Sequence, residues 1–109
     1  MEKQENEYLE LAAEYYPPTY IPETVHIVVY NLGTEQEGVH TAEYPKGSGQ
    51  ICLLAFTSEE DAKPFADTLA VGYPGDIDPS AMEYASEQMQ QYCQEQGWFF
   101  VLVPDTDTI

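Results

Sequence analysis

Three stretches of the chain, residues 25–30, 51–56 and 98–103, are apolar at nearly every position rather than at alternate ones. They are rich in Val, Ile, Leu and Phe, side chains that suit a pleated surface. A strand with one face in water alternates apolar and polar residues, whereas an unbroken apolar run reads as a strand buried on both faces. A chain with three such runs has to build a sheet and find cover for two faces of it. The rest of the sequence can be read as a search for that cover.

The first two runs are separated by a turn-rich connection at 33–38, a more polar strand at 39–44 and a glycine-rich turn at 45–49. After residue 56, Ser58 followed by Asp61 fits a helix-capping signal. Ala62, Phe65, Ala66, Leu69 and Ala70 then keep helical spacing. Pro64 within that pattern predicts a kink or a later start, because it removes a helix hydrogen bond and crowds the preceding turn. Residues 71–77 suggest a very short strand. Asp78 and Pro79 read as the N-cap and first residue of a second helix. Its apolar stripe would be Met82, Ala85, Met89, Tyr92 and Cys93, and Gly97 would end it. The order β-β-β-α-(β)-α-β predicts an α+β two-layer sandwich. It would have a mostly antiparallel sheet of four to five strands with two helices on one face, nearest to a ferredoxin-like plan. Residues 25–104 form that domain, preceded by an acidic, tyrosine-rich segment (1–24) and followed by an acidic tail (105–109).

Two helices on one face leave the other face bare. Some of Ile27, Val29, Leu53, Phe99 and Val101 would then form part of an exposed apolar surface, the usual mark of an interaction site. Burial is worth about 25 cal/mol per Å², so a few hundred Å² would hold a partner firmly. The candidate covers are the N-terminal segment, a second copy, or another protein. In the N-terminal segment Tyr8, Leu11, Ala12, Tyr15 and Tyr16 fall at i, i+3, i+4, i+7 and i+8, one stripe of a helix. Such a helix is too short to be stable alone in water, and Pro17, Pro18 and Pro22 stop it.

Acids outnumber bases 20 to 3, for a net charge of −17. This excludes nucleic acid, whose affinity comes from Lys and Arg on phosphates, and disfavours anionic membrane surfaces. No apolar run approaches the roughly 20 residues of a spanning helix, and the first residues lack the apolar core of a signal peptide. The expected partner is a protein with a basic surface, drawn in by long-range attraction, with self-association as the other outcome. The last third of the chain has no Lys, so its helix, bearing Glu83, Glu87 and Glu95, and the acidic tail are the predicted docking side. No nucleophile elbow, P-loop or Cys-x-x-Cys is present. His26, His40 and Glu43 could in principle meet around a metal, but nothing fixes a further ligand. Asp76, Asp78 and Glu87 echo a calcium loop faintly, with Ala81 where glycine is required. Cys52 and Cys93 read as small buried hydrophobes, and a disulfide between strand and helix stays open. No catalytic residue, metal or cofactor is predicted.

The block from Val28 to Thr41, with Asn31, Glu37, Gly38 and His40 at its fixed points, resembles the opening of domain-of-unknown-function family 3110. The passage from Leu54 through Phe56 and Asp61 to Phe65 is similar to that family too. So is the helix end Tyr92-Cys93 to Gly97, with the aromatic strand that stops at Pro104. The resemblance covers residues 25–104 and leaves the N-terminal segment outside. It implies a cyanobacterial or plastid setting, in the cytosol or stroma, and no established enzyme activity, because the family has none assigned. Asn31, Glu37 and His40 could line a binding loop, or could merely hold a hairpin in shape.

The sequence therefore predicts a non-catalytic acidic protein-interaction module, a small accessory, assembly or regulatory subunit of a larger photosynthetic or metabolic complex. Its partner-binding candidates are Tyr8, Leu11, Tyr15, Tyr16, Asn31, Glu37, His40, Glu83, Glu87 and Glu95. The alternative is a small-molecule-binding domain or weak enzyme built on the Asn31–His40 loop.

Overall fold

The computed structural model describes residues 5–14, 16, 18–72 and 78–104. Three helices and six strands follow in the order α1 (Glu5–Glu14), β1 (Thr24–Tyr30), β2 (Gly38–Val39), β3 (Thr41–Glu43), β4 (Ile51–Phe56), α2 (Glu59–Gly72), β5 (Pro79–Ala85), α3 (Ser86–Gln96) and β6 (Phe99–Val103). The three apolar runs become β1, β4 and β6, and all six strands join one sheet.

β1 is the hub of that sheet. Along one edge it pairs antiparallel with β5 over its whole length, from Thr24↔Ala85 to Tyr30↔Pro79. Its other edge meets β4 at His26↔Phe56 and β2 at Val29↔Val39 and Tyr30↔Gly38. β3 pairs with β4, Thr41 opposite Leu53 and Glu43 opposite Ile51. Both pairings are antiparallel, so residues 38–43 run down β1, reverse at His40 and return up β4. The predicted second strand is thus broken at His40, whose N–H donates to the Val28 carbonyl at 2.8 Å. β6 lies parallel to β4, from Cys52↔Phe99 to Phe56↔Val103. The class is α+β as expected, but the sheet is mixed and larger than predicted.

The helices correct the two-layer plan. One apolar cluster joins Val28, Leu54, Phe56, Val101 and Val103 to α1 (Tyr8, Leu9, Ala12) and α2 (Ala62, Phe65, Ala66, Leu69). The other joins Val25, Ile27, Val29, Leu53, Ala55, Phe100 and Leu102 to α3 (Met89, Cys93). Consecutive residues of β1, β4 and β6 alternate between the clusters, as the two-residue period of a strand requires. Helices therefore cover both faces, and the bare face expected from the sequence does not exist. Ile27 and Leu53 are 0 % exposed, and of the five side chains offered as candidates for that face only Phe99 is open, at 39 %.

Local chemistry explains most element ends. Ser58 caps α2, its Oγ accepting the Asp61 N–H at 3.3 Å. Pro64 lies inside α2 without delaying its start at Glu59. Gly97 ends α3 in the left-handed conformation with φ 76°, its N–H reaching back to the carbonyls of Cys93 and Gln94. The second helix, however, starts later than predicted. Residues 79–85 are strand, and α3 begins at Ser86 with no side-chain cap. The Ser86 N–H instead donates to the Glu23 carbonyl at 2.9 Å, and its hydroxyl donates to the Pro22 carbonyl. Of the short strand predicted at 71–77, residues 71 and 72 close α2 and the rest lie outside the described residues.

Candidate functional site

The residues singled out from the sequence are not brought together. Asn31 leaves β1 with a positive φ of 52°, a conformation that Asn tolerates better than most residues. Its Oδ1 accepts the Asp78 N–H at 3.0 Å, and its own N–H donates to the Asp78 carbonyl at 3.0 Å. Glu37 accepts the Gly33 N–H at 2.8 Å. Both side chains thus hold the connection after β1 in shape and tie it to the start of β5. Glu43 does the same for the next turn, accepting from Gly47 at 2.7 Å and Gly49 at 2.9 Å.

Glu83, Glu87 and Glu95 are all exposed but do not share one helix. Glu83 is on β5, with its carboxylate 3.6 Å from His26 Nε2, so it leaves the predicted acidic helix face. Glu87 and Glu95 stay on α3, the latter accepting from Gln91 at 3.4 Å. Tyr15 and the acidic tail lie outside the described residues. The predicted stripe on α1 is rotated: Tyr8, Leu9 and Ala12 are buried, Leu11 is half-buried, and Tyr16 stands 44 % exposed.

His40 is buried too, 9 % exposed at the reversal between β2 and β3. Its Nε2 is 2.9 Å from the Glu5 carboxylate on α1, and its Nδ1 meets the Tyr30 hydroxyl. An ionised carboxylate accepts, so Nε2 is the nitrogen that donates to Glu5. The ring also stands edge-on to Phe65 of α2, with centroids 5.3 Å apart. A single side chain thereby joins α1, α2 and β1. Glu5 was not foreseen from the sequence; it lies 35 residues from His40 and only the fold unites them.

A different feature is open to solvent. Beyond α1, Tyr16 sits at the edge strand β6, and Ile21 packs against the cluster on the face opposite α1. Tyr16 stacks edge-on to Phe99 at 6.1 Å, and this pair forms a ridge between two apolar hollows. The first, about 210 Å³, lies between α1 and the β3–β4 turn and is lined by Leu9, Tyr44, Pro45, Cys52 and Val101. The second, about 460 Å³, lies between residues 18–21 and α3 and is lined by Pro18, Ile21, Cys93, Trp98 and Phe100. Tyr16, Tyr20 and Phe99 are three of the five exposed large apolar side chains among the described residues; Tyr20 is 75 % exposed.

Each hollow has one cysteine in its wall, and neither thiol is set up to react. Burial raises the Cys52 thiol above its usual range. Burial, reinforced by the charge of Cys52, pushes Cys93 to about 11. Both are free, and they belong to the clusters on opposite faces of the sheet. Among the described residues His26, His40, Glu43 and the cysteines form no group suited to a metal ion, and no helix is long and apolar enough to cross a membrane.

The family described as Domain of unknown function (DUF3110) matches residues 25–109, so the matched region starts one residue into β1 and leaves α1 outside. No match was found among curated proteins or solved structures.

Proposed function

The chain belongs to the DUF3110 family, and from that premise and its own surface we propose that it is a non-catalytic protein-interaction module that takes a basic partner at the aromatic edge of β6. The observation that carries the reading is the exposed Tyr16–Phe99 ridge with an apolar hollow on either side. Aromatic anchors beside pockets are the typical centre of a protein interface. Acids outnumber bases 20 to 3, so a partner with Lys and Arg around an apolar knob would be attracted from a distance and then held by burial. In this role the protein would serve as a small accessory, assembly or regulatory subunit of a larger complex.

The loop from Asn31 to His40 supports a small-molecule site less well. Asn31 and Glu37 bind backbone amides of the protein itself, and His40 is enclosed by Tyr30, Glu5 and Phe65.

The test is capture of partners from an extract of the native host, using wild type and a Tyr16→Ser/Phe99→Ser variant. The reading predicts that wild type retains a basic protein at low salt, releases most of it at moderate salt, and that the variant retains little at either. Equal recovery by the variant, or recovery indifferent to salt, would contradict it.

A further inference from the structure

The groove beneath α1 is a second apolar surface, and the structure itself shows what kind of segment fits it. α1 is a ten-residue helix, short of the length at which a helix holds its shape alone in water. It has acids in its first turn, no base in its last, and Glu14 at its C-terminal end, where the helix dipole disfavours negative charge. Its stability therefore comes from the groove. Into it α1 places Glu5, Tyr8, Leu9 and Ala12, which stand at i, i+3, i+4 and i+7, the spacing by which a helix is read in a groove. Tyr8 meets the rings of Phe56 and Phe65 edge-on at 5.4 and 5.1 Å, and Glu5 meets His40 at 2.9 Å. The family match begins only at residue 25, so the groove belongs to the matched domain and its occupant does not. The chain that follows α1 includes Pro18 and Pro22 and has no helix or strand at its described positions before β1.

We propose that α1 is a reversible cover over a helix-binding groove. The groove's external partner is an amphipathic helix that copies the α1 face, with an acid, an aromatic, an aliphatic and a small residue at i, i+3, i+4 and i+7. This inference rests on the reading of the chain as a protein-interaction module. The acid of the incoming helix takes the place of Glu5 on His40 Nε2 and sets the register; its aromatic takes the seat of Tyr8 between Phe56 and Phe65. Basic residues on the other faces of the same helix would answer the net charge of the module. Tyr16, two residues beyond the end of α1, packs on Phe99, so a partner seated on that ridge touches the segment that must move when α1 lifts.

The test supplies α1 in trans. A fluorescent peptide of residues 3–14 is titrated into the full-length protein and into a full-length Tyr8→Ala/Leu9→Ala variant, at about 0.3 M salt to screen repulsion between acidic molecules. The expected result is saturable binding to the variant, at least ten-fold weaker binding to wild type, and weakened binding of a Glu5→Gln peptide to the variant. Absence of binding to a variant that keeps its amide NMR dispersion would overturn the proposal. So would equal binding to both proteins, because the peptide would then sit elsewhere. Loss of the folded spectrum in the variant would also overturn it, because α1 would then be an integral part of the core. If the peptide result fails while salt-sensitive capture at the β6 edge persists, the groove is wrong and the module stands. If both fail, the module itself is wrong.

Discussion

His40 shows how much one side chain can organise. Its backbone bonds Val28 at the reversal of the chain, and its ring links Tyr30, Glu5 and Phe65. His40→Ala removes the link and leaves a void beside Phe65, so urea unfolding should register a loss of about 2–3 kcal/mol. A loss below about 0.5 kcal/mol, the scale of an ordinary surface change, would show that the network contributes little. The thiols give a second test at this scale. Cys93 is raised from 9.0 to about 11 by burial and by Cys52. Below pH 9 the thiol is protonated in folded and unfolded chains alike, and it adds no pH dependence. As pH rises from 9 towards 11 the unfolded thiol ionises while the buried one resists, so stability should fall across that window. A Cys93→Ala variant should lose that part of the fall. At neutral pH neither thiol should react with a thiol reagent until the protein is unfolded.

Helices and strands differ in how far the sequence disclosed them. β1, β4 and β6 were legible because an unbroken apolar run has few alternatives to a doubly buried strand. α2 was legible through Ser58 and its periodic Ala62, Phe65, Ala66 and Leu69. β5 was not. Asp78 and Pro79 mimic a helix start, and Met82, Ala85 and Met89 keep a helical spacing. Pro is equally acceptable as the first residue of an edge strand, and the seven-residue ladder to β1 decides the matter. That ladder joins Thr24 to Ala85 and Tyr30 to Pro79, segments too far apart in sequence for any local pattern to reach. Moving the start of α3 to Ser86 carried the helix across to the far face of the sheet, which is why the predicted bare face is covered. The candidate site was less legible for the same reason: Glu5 with His40, and Tyr16 with Phe99, are juxtapositions made by the fold. At this scale Gly97→Ala should cost about 1 kcal/mol, because its φ of 76° is one that a side chain resists. Phe65→Ala, at 1 % exposure on α2, should cost about 3–5 kcal/mol. Tyr8→Ala should cost distinctly less than Phe65→Ala, although Tyr8 is 6 % exposed and touches the same rings. A segment that can lift off cannot lose more than its own docking free energy. Equal costs would argue that α1 is ordinary core.

For the molecule as a whole, hidden apolar surface and unbalanced charge pull in opposite directions. Both faces of the sheet are sealed within one chain, which favours a stable monomer. The net charge of −17 repels within the fold and between copies. Added salt should therefore raise the unfolding midpoint of the isolated protein, since screening shortens the reach of that repulsion to about 8 Å at physiological ionic strength, and should weaken capture of a basic partner in parallel. The aromatic edge at β6 is then the place where the sealed surface breaks, and the place where association should begin. Hydroxyl-radical footprinting of the protein, free and with the partner captured from the native host, tests this most directly. The free protein should be modified at Tyr16, Tyr20 and Phe99 and protected at Phe56 and Phe65, and the partner should extend protection to Tyr16 and Phe99. Unchanged modification of Tyr16 and Phe99 in the complex, with protection appearing on another surface, would contradict the account.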